Sequence, residues 1–160
     1  MIPEIREMQT RTIIGRNLLL PLYSREVFAL WKEFRTEQMK AGLIDVELYS
    51  IQEFAEWPPK TTIMHWSGIE KQDTVKYPEE WQECVLQGGA YAFALFKGDS
   101  EEFPAMLKDI IVSWIPTTDY EYDPSRLQFQ VMPHDYKLDD PNAEEQVWIP
   151  VRTRGEDISN

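Results

Sequence analysis

The sequence predicts an α+β fold of two βαββ units in tandem, each placing one helix against a small antiparallel sheet, with a pocket at the seam. Three observations carry this. The order strand, helix, strand, strand occurs twice, at about residues 10–70 and 81–152. A polar, aperiodic stretch, KQDTVKYPEE (71–80), separates the two copies. Neither unit has a core thick enough to stand alone, so both pack together within one domain, 1–160, and seams of this kind are where pockets form.

RTIIGRNLLL (11–20) is β-rich around Gly15 and leads into a turn at Pro21. Ser24 sits where an N-cap belongs. Val27, Leu30, Trp31 and Phe34 then follow the i, i+3, i+4, i+7 pattern of one helical face, and Gly42 closes the helix after Lys40. VELYSIQEF (46–54) and TTIMHWSGIE (61–70) are strands joined across Pro58 and Pro59, which cannot sit inside a ladder. WQECVLQGGAYAFALFKG (81–98) is a strand bent at Gly88 and Gly89. Asp99 with Glu102 fits a capping pattern, and Phe103, Met106, Leu107, Ile110, Ile111 and Trp114 form an apolar stripe that Pro116 ends. After the turn TTDYEYDPS, the segments RLQFQVM (126–132) and EEQVWIPV (144–151) complete the second copy as strands.

Composition narrows the function. With 16 Lys and Arg against 28 Asp and Glu, the net charge of −12 repels phosphate backbones and anionic membranes, so neither nucleic acid nor a membrane surface is an expected partner. A single cysteine, Cys84, excludes an internal disulfide framework, and no segment reads as a signal core or membrane span, which predicts a cytoplasmic protein. His65 and His134 lie far apart and beside no acid cluster with ligand spacing. No nucleophile elbow and no phosphate-binding glycine loop is present, so neither metal nor cofactor is expected.

The last strand carries the most informative pattern. Val147, Ile149 and Val151 point one way as ordinary core, with Glu145 on their side ahead of the buried part. Glu144, Gln146 and Trp148 point the other way, an aromatic ring beside acid and amide groups.

GGAYAFALFKG (88–98), MLKDIIVSWIPTTDYEYD (106–123) and QVWIPV (146–151), in this order and spacing, resemble the GyrI-like small-molecule-binding family. The first half agrees more loosely, through the glycine of TIIGR, the VFALWKEF helix and the strand ending WSGIE. That family includes effector-binding domains of AraC-type and MerR-type regulators. The resemblance implies a stand-alone pocket protein for lipophilic, cationic or amphipathic aromatic compounds, with aromatic walls and a buried acid meeting the positive charge. No helix-turn-helix segment precedes residue 11. The family's acid two places before the last-strand aromatic is Gln146 here, which leaves Glu144, or Glu47 on the side of Tyr49, to supply the charge. Tyr49, Trp66, Tyr91, Phe93 and Trp148 are the expected pocket wall, with Trp114 as an extra contact; Trp31, in the helical stripe, reads as core. The resemblance also implies two alternatives: a hydrolase using Glu47 or Glu144 as general base, and a protein inhibitor of the gyrase-inhibitor type.

Overall fold

The computed structural model describes residues 2–22, 24–54, 57–98, 101–137, 140 and 142–155. A short strand, β1 (Glu4–Met8), precedes the first repeat, which is β2 (Arg11–Pro21), α1 (Glu26–Lys40), β3 (Leu48–Glu53) and β4 (Thr62–Glu70). Another, β5 (Gln82–Leu86), precedes the second, which is β6 (Gly89–Lys97), α2 (Phe103–Lys108), β7 (Tyr120–Tyr122), β8 (Gln128–Met132) and β9 (Glu144–Thr153). The α+β architecture is the one the sequence predicts.

The strands form one antiparallel sheet in the order β1-β6-β9-β8-β3-β4-β2-β5, with β7 added along β9. Each repeat keeps the same internal order, β3-β4-β2 and β8-β9-β6, and the two meet where β3 pairs β8, Leu48 opposite Met132 and Ser50 opposite Gln130. The outermost strands are exchanged. β1 runs into β2 but pairs with β6, and β5 runs into β6 but pairs with β2, so the chain ties the two ends of the sheet together. The two connections touch where the Gly88 N–H donates to the Thr10 hydroxyl at 2.9 Å.

This exchange corrects the reading of 81–98 as one bent strand: Gln87 and Gly88 are a crossing between two sheet positions. β1 and β7 were not expected. EIREM carries three charges in five residues, the guarded composition of an outer strand, and β7 is only three residues long.

α1 starts one residue past its predicted cap: Arg25 holds the N-cap position and makes no side-chain cap bond, while Ser24 just before it accepts the Glu26 N–H at Oγ, 3.1 Å away, and the helix ends before Gly42, whose φ of +73° suits glycine. Arg16 on β2 straps the helix down by pairing with Glu37. The second helical stripe is less regular than its periodicity suggests. After Lys108 it widens into a π-helical turn, Asp109–Trp114, and tightens into a 3₁₀ turn, Ile115–Thr117, around Pro116. Asp99, the expected cap, lies outside the described residues.

Both helices lie on one face of the sheet. α1 covers Ile14, Leu48, Ile69 and Met132 through Phe34; α2 and the turns after it cover Ala92, Ala94, Val147, Ile149 and Val151 through Met106, Ile110, Ile111 and Ile115. The opposite face has no helix, yet Tyr49, Trp66, Tyr91, Phe93, Phe129 and Trp148 are buried there. Met8, Ile13, Cys84 and Leu86 of β1, β2 and β5 join the same cluster, and Arg11 of β2 reaches Tyr49 and Trp148, so the sheet curls over this face although its end strands β1 and β5 do not pair.

Candidate functional site

Because each helix covers its own half, the strip between them, above the β3–β8 seam, is left uncovered. A cavity of about 440 Å³ lies there. Its floor is Leu48 and Ser50 of β3 with Gln130 and Met132 of β8. One wall is the α1 face that presents Phe28, Trp31, Lys32 and Arg35, at i, i+3, i+4 and i+7, while Phe96, Gly98, Phe103 and Tyr136 close the opposite side. The seam row departs from the usual apolar helix-facing pattern: Ser50 and Gln52 stand opposite Gln130 and Gln128.

Glu145 reaches this cavity from the second position of β9 and is only 7% exposed. Its carboxylate accepts hydrogen bonds from Gln130 Nε2 at 3.0 Å and from the Tyr136 hydroxyl at 3.2 Å. Both donors are neutral. Burial therefore outweighs them and raises the Glu145 pKa above its ordinary value. Burial, with the adjacent Glu145 charge, likewise pushes the Tyr136 phenol up to about 12. The result is a carboxyl group held in place, poorly solvated, and facing empty space lined by aromatic rings. Such a group gains from a ligand that brings a proton donor or a positive charge.

None of the nine residues singled out in the sequence lines this cavity. Five of them, Tyr49, Trp66, Tyr91, Phe93 and Trp148, do come together, but in the enclosed core on the other face. Phe129 stacks on Trp148 at 5.8 Å and on Tyr49 at 6.0 Å, and Tyr91 and Phe93 meet Trp148 edge-on at 5.8 and 4.9 Å. The cations over these rings are the chain's own. Arg6 sits 3.7 Å above Phe93, Arg126 4.8 Å above Tyr91 and Arg11 5.8 Å from Trp148, each contact contributing about 0.5–1 kcal/mol or more. Gln146 accepts from Trp148 Nε1 at 3.0 Å. Glu144 is exposed and pairs with Lys97 at 3.6 Å, Glu47 is exposed just before β3, and Trp114 packs half-buried against the α2 core.

Two cavity residues were read differently in the sequence. Glu145 shares a strand face with Val147, Ile149 and Val151, as alternation requires, but that face is a site at one end and core at the other. Trp31 belongs to the edge of the α1 stripe that turns toward the seam. The available signal was the polar row Ser50, Gln52, Gln128 and Gln130, which alternates with apolar residues on both seam strands. Among the described residues, no group of three or more His, Cys, Asp or Glu converges as a metal site, and no helix is long and apolar enough to cross a membrane.

The GyrI-like small-molecule-binding domain model matches residues 1–152. Among solved structures, the C-terminal domain of EcmrR is similar at a TM-score of 0.72 and 12% identity, covering 95% of this chain and 98% of that one. SAV2435 bound to tetraphenylphosphonium is similar at 0.68 and 12% identity, covering 95% and 94%. A hydrolase encoded by lin2189 from Listeria innocua is similar at 0.62 and 10% identity, covering 94% and 91%. At these identities the likeness to each is one of fold. No curated protein matches the chain in sequence.

Proposed function

Because the chain belongs to the GyrI-like small-molecule-binding family, we propose that it is a cytoplasmic effector-binding protein that takes an aromatic, positively charged small molecule into the seam cavity. One observation carries this reading: Glu145 is buried at the cavity's edge and, among the described residues, has only neutral partners, Gln130 and Tyr136, beside the rings of Phe28, Trp31, Phe96 and Phe103. A cation there meets a weakly solvated carboxylate and an aromatic wall together. Tetraphenylphosphonium, the ligand named for SAV2435, is a suitable first probe. A regulatory role, as in effector domains that act beside a DNA-binding partner, is part of the same proposal.

The test is a tryptophan-fluorescence titration with tetraphenylphosphonium and with neutral triphenylphosphine oxide. Saturable quenching by the cation, weaker with the neutral compound and reduced in Trp31→Phe but retained in Trp148→Phe, supports the seam site. Quenching lost in Trp148→Phe and kept in Trp31→Phe moves the site to the enclosed aromatic core. No saturable signal with either compound defeats the reading.

The hydrolase alternative is favoured by one feature, the raised pKa of Glu145, which suits a general base toward a bound water. On that reading Glu145 replaces Glu47 and Glu144 as the base. Turnover of a reactive ester probe that Glu145→Gln abolishes would establish it; equal turnover in the variant would exclude it.

A further inference from the structure

The cavity contains a second charged group that cation binding leaves unused. Among the described residues, the buried Nε of Arg35 has no hydrogen-bond partner and the guanidinium makes no ion pair, while Arg35 lines the cavity. Lys32, one turn earlier, lines the same wall. The acids of α1 that stand nearest in sequence are directed elsewhere, since Glu33 and Glu37 both pair with Arg16 on β2. The lining therefore holds two permanent positive charges on α1 and one carboxyl on β9 whose ionisation burial opposes. A simple cation would be attracted by the single carboxyl of Glu145 and repelled by the two basic side chains, Lys32 and Arg35.

Resting on the seam-cavity reading above, we infer that the ligand also carries an acidic group, a carboxylate, which pairs with Arg35 and Lys32 while its basic group meets Glu145. The ligand class is an aromatic zwitterion. A carboxylate matches the planar guanidinium fork of Arg35, and Lys32 adds a second charge on the same wall. The apolar middle of the molecule lies along Phe28, Trp31, Phe96 and Phe103.

The experiment is isothermal titration calorimetry of the full chain with three matched probes: 2-naphthylmethylamine, 2-naphthoate and 6-(aminomethyl)-2-naphthoate. The zwitterion is expected to bind at least about tenfold more tightly than the amine, the difference a charge-assisted hydrogen bond makes. That gain should vanish in Arg35→Gln and fall in Lys32→Met, while the amine binds either variant as well as or better than wild type. Arg35→Lys, which keeps the charge but not the fork, should retain part of the gain and shows that the loss is not one of folding. If the amine binds wild type as tightly as the zwitterion, or if Arg35→Gln leaves their ratio unchanged, the acidic group has no site and the inference fails while the cation-binding proposal stands. If none of the three binds, the inference fails together with the cavity reading on which it rests.

Discussion

Replacing Glu145 with Gln tests the chemistry of the cavity most directly. The amide keeps the shape and an acceptor oxygen for Gln130 or Tyr136, so packing is preserved while the charge is removed. In the wild type Glu145 is 7% exposed and, among the described residues, its carboxylate is bonded only to neutral donors, so a ligand ammonium gains a charge-assisted hydrogen bond worth about 1.5–3 kcal/mol. At about 1.4 kcal/mol per decade, that is roughly 10- to 150-fold in Kd. Lys32 and Arg35 line the same cavity and repel the ammonium, which places the expected loss for 2-naphthylmethylamine near tenfold. Calorimetry at about pH 8, where an ordinary carboxyl is fully ionised, should show that loss. Because burial raises the Glu145 pKa, the wild-type affinity should itself fall as the pH approaches the ordinary 4.5, converging on that of the variant. Equal affinities for the two proteins at the higher pH, or a wild-type Kd that does not change with acidification, would refute the assignment of Glu145 as the cation's partner.

Three further outcomes are expected. Without ligand, the raised folded-state pKa of Glu145 gives a contribution to stability that is fully present below its unfolded value and lost as pH rises through the folded one. Thermal melts of Glu145→Gln should lack that component of the decline. Phe34→Ala, at a fully buried position that joins α1 to the sheet, should cost about 3–5 kcal/mol in urea unfolding. A loss below 1 kcal/mol, the range of well-tolerated swaps, would show that α1 is held mainly by Arg16 and its partners. Gly15→Ala should be among the most damaging small substitutions, because a Cβ there would overlap the Ser67 carbonyl and lie 2.6 Å from Gly68 Cα, backbone atoms that cannot step aside without parting β2 from β4. Near-normal yield and melting temperature for this variant would contradict the close pairing of those strands.

The sequence by itself determined the architecture and the main strand-helix-strand-strand order of each repeat, but not the outer strands β1 and β5 or the short β7. The α1 stripe and its Gly42 stop, the polar break at 71–80 and the twofold strand-helix-strand-strand order are local patterns, and local patterns survive folding when each agrees with the whole. Alternation also assigned the two faces of β9 correctly, Glu145 with Val147 and Gln146 with Trp148. What alternation cannot state is what covers each face. Only the tertiary structure decided that, through contacts distant in the chain: α2 covers Val147 and Ile149 but stops short of Glu145, while strand pairing and the curl of the sheet bring Arg6, Arg11 and Arg126 over the rings of Phe93, Trp148 and Tyr91. The same aromatic and acidic residues thus read as a cation pocket in one dimension and divide in three, the rings forming a core that supplies its own cations and a different carboxyl, Glu145, facing the seam. The exchange of β1 and β5 between the halves belongs with these decisions, because strand partners are set by packing and closure and leave no mark in the periodicity of either segment.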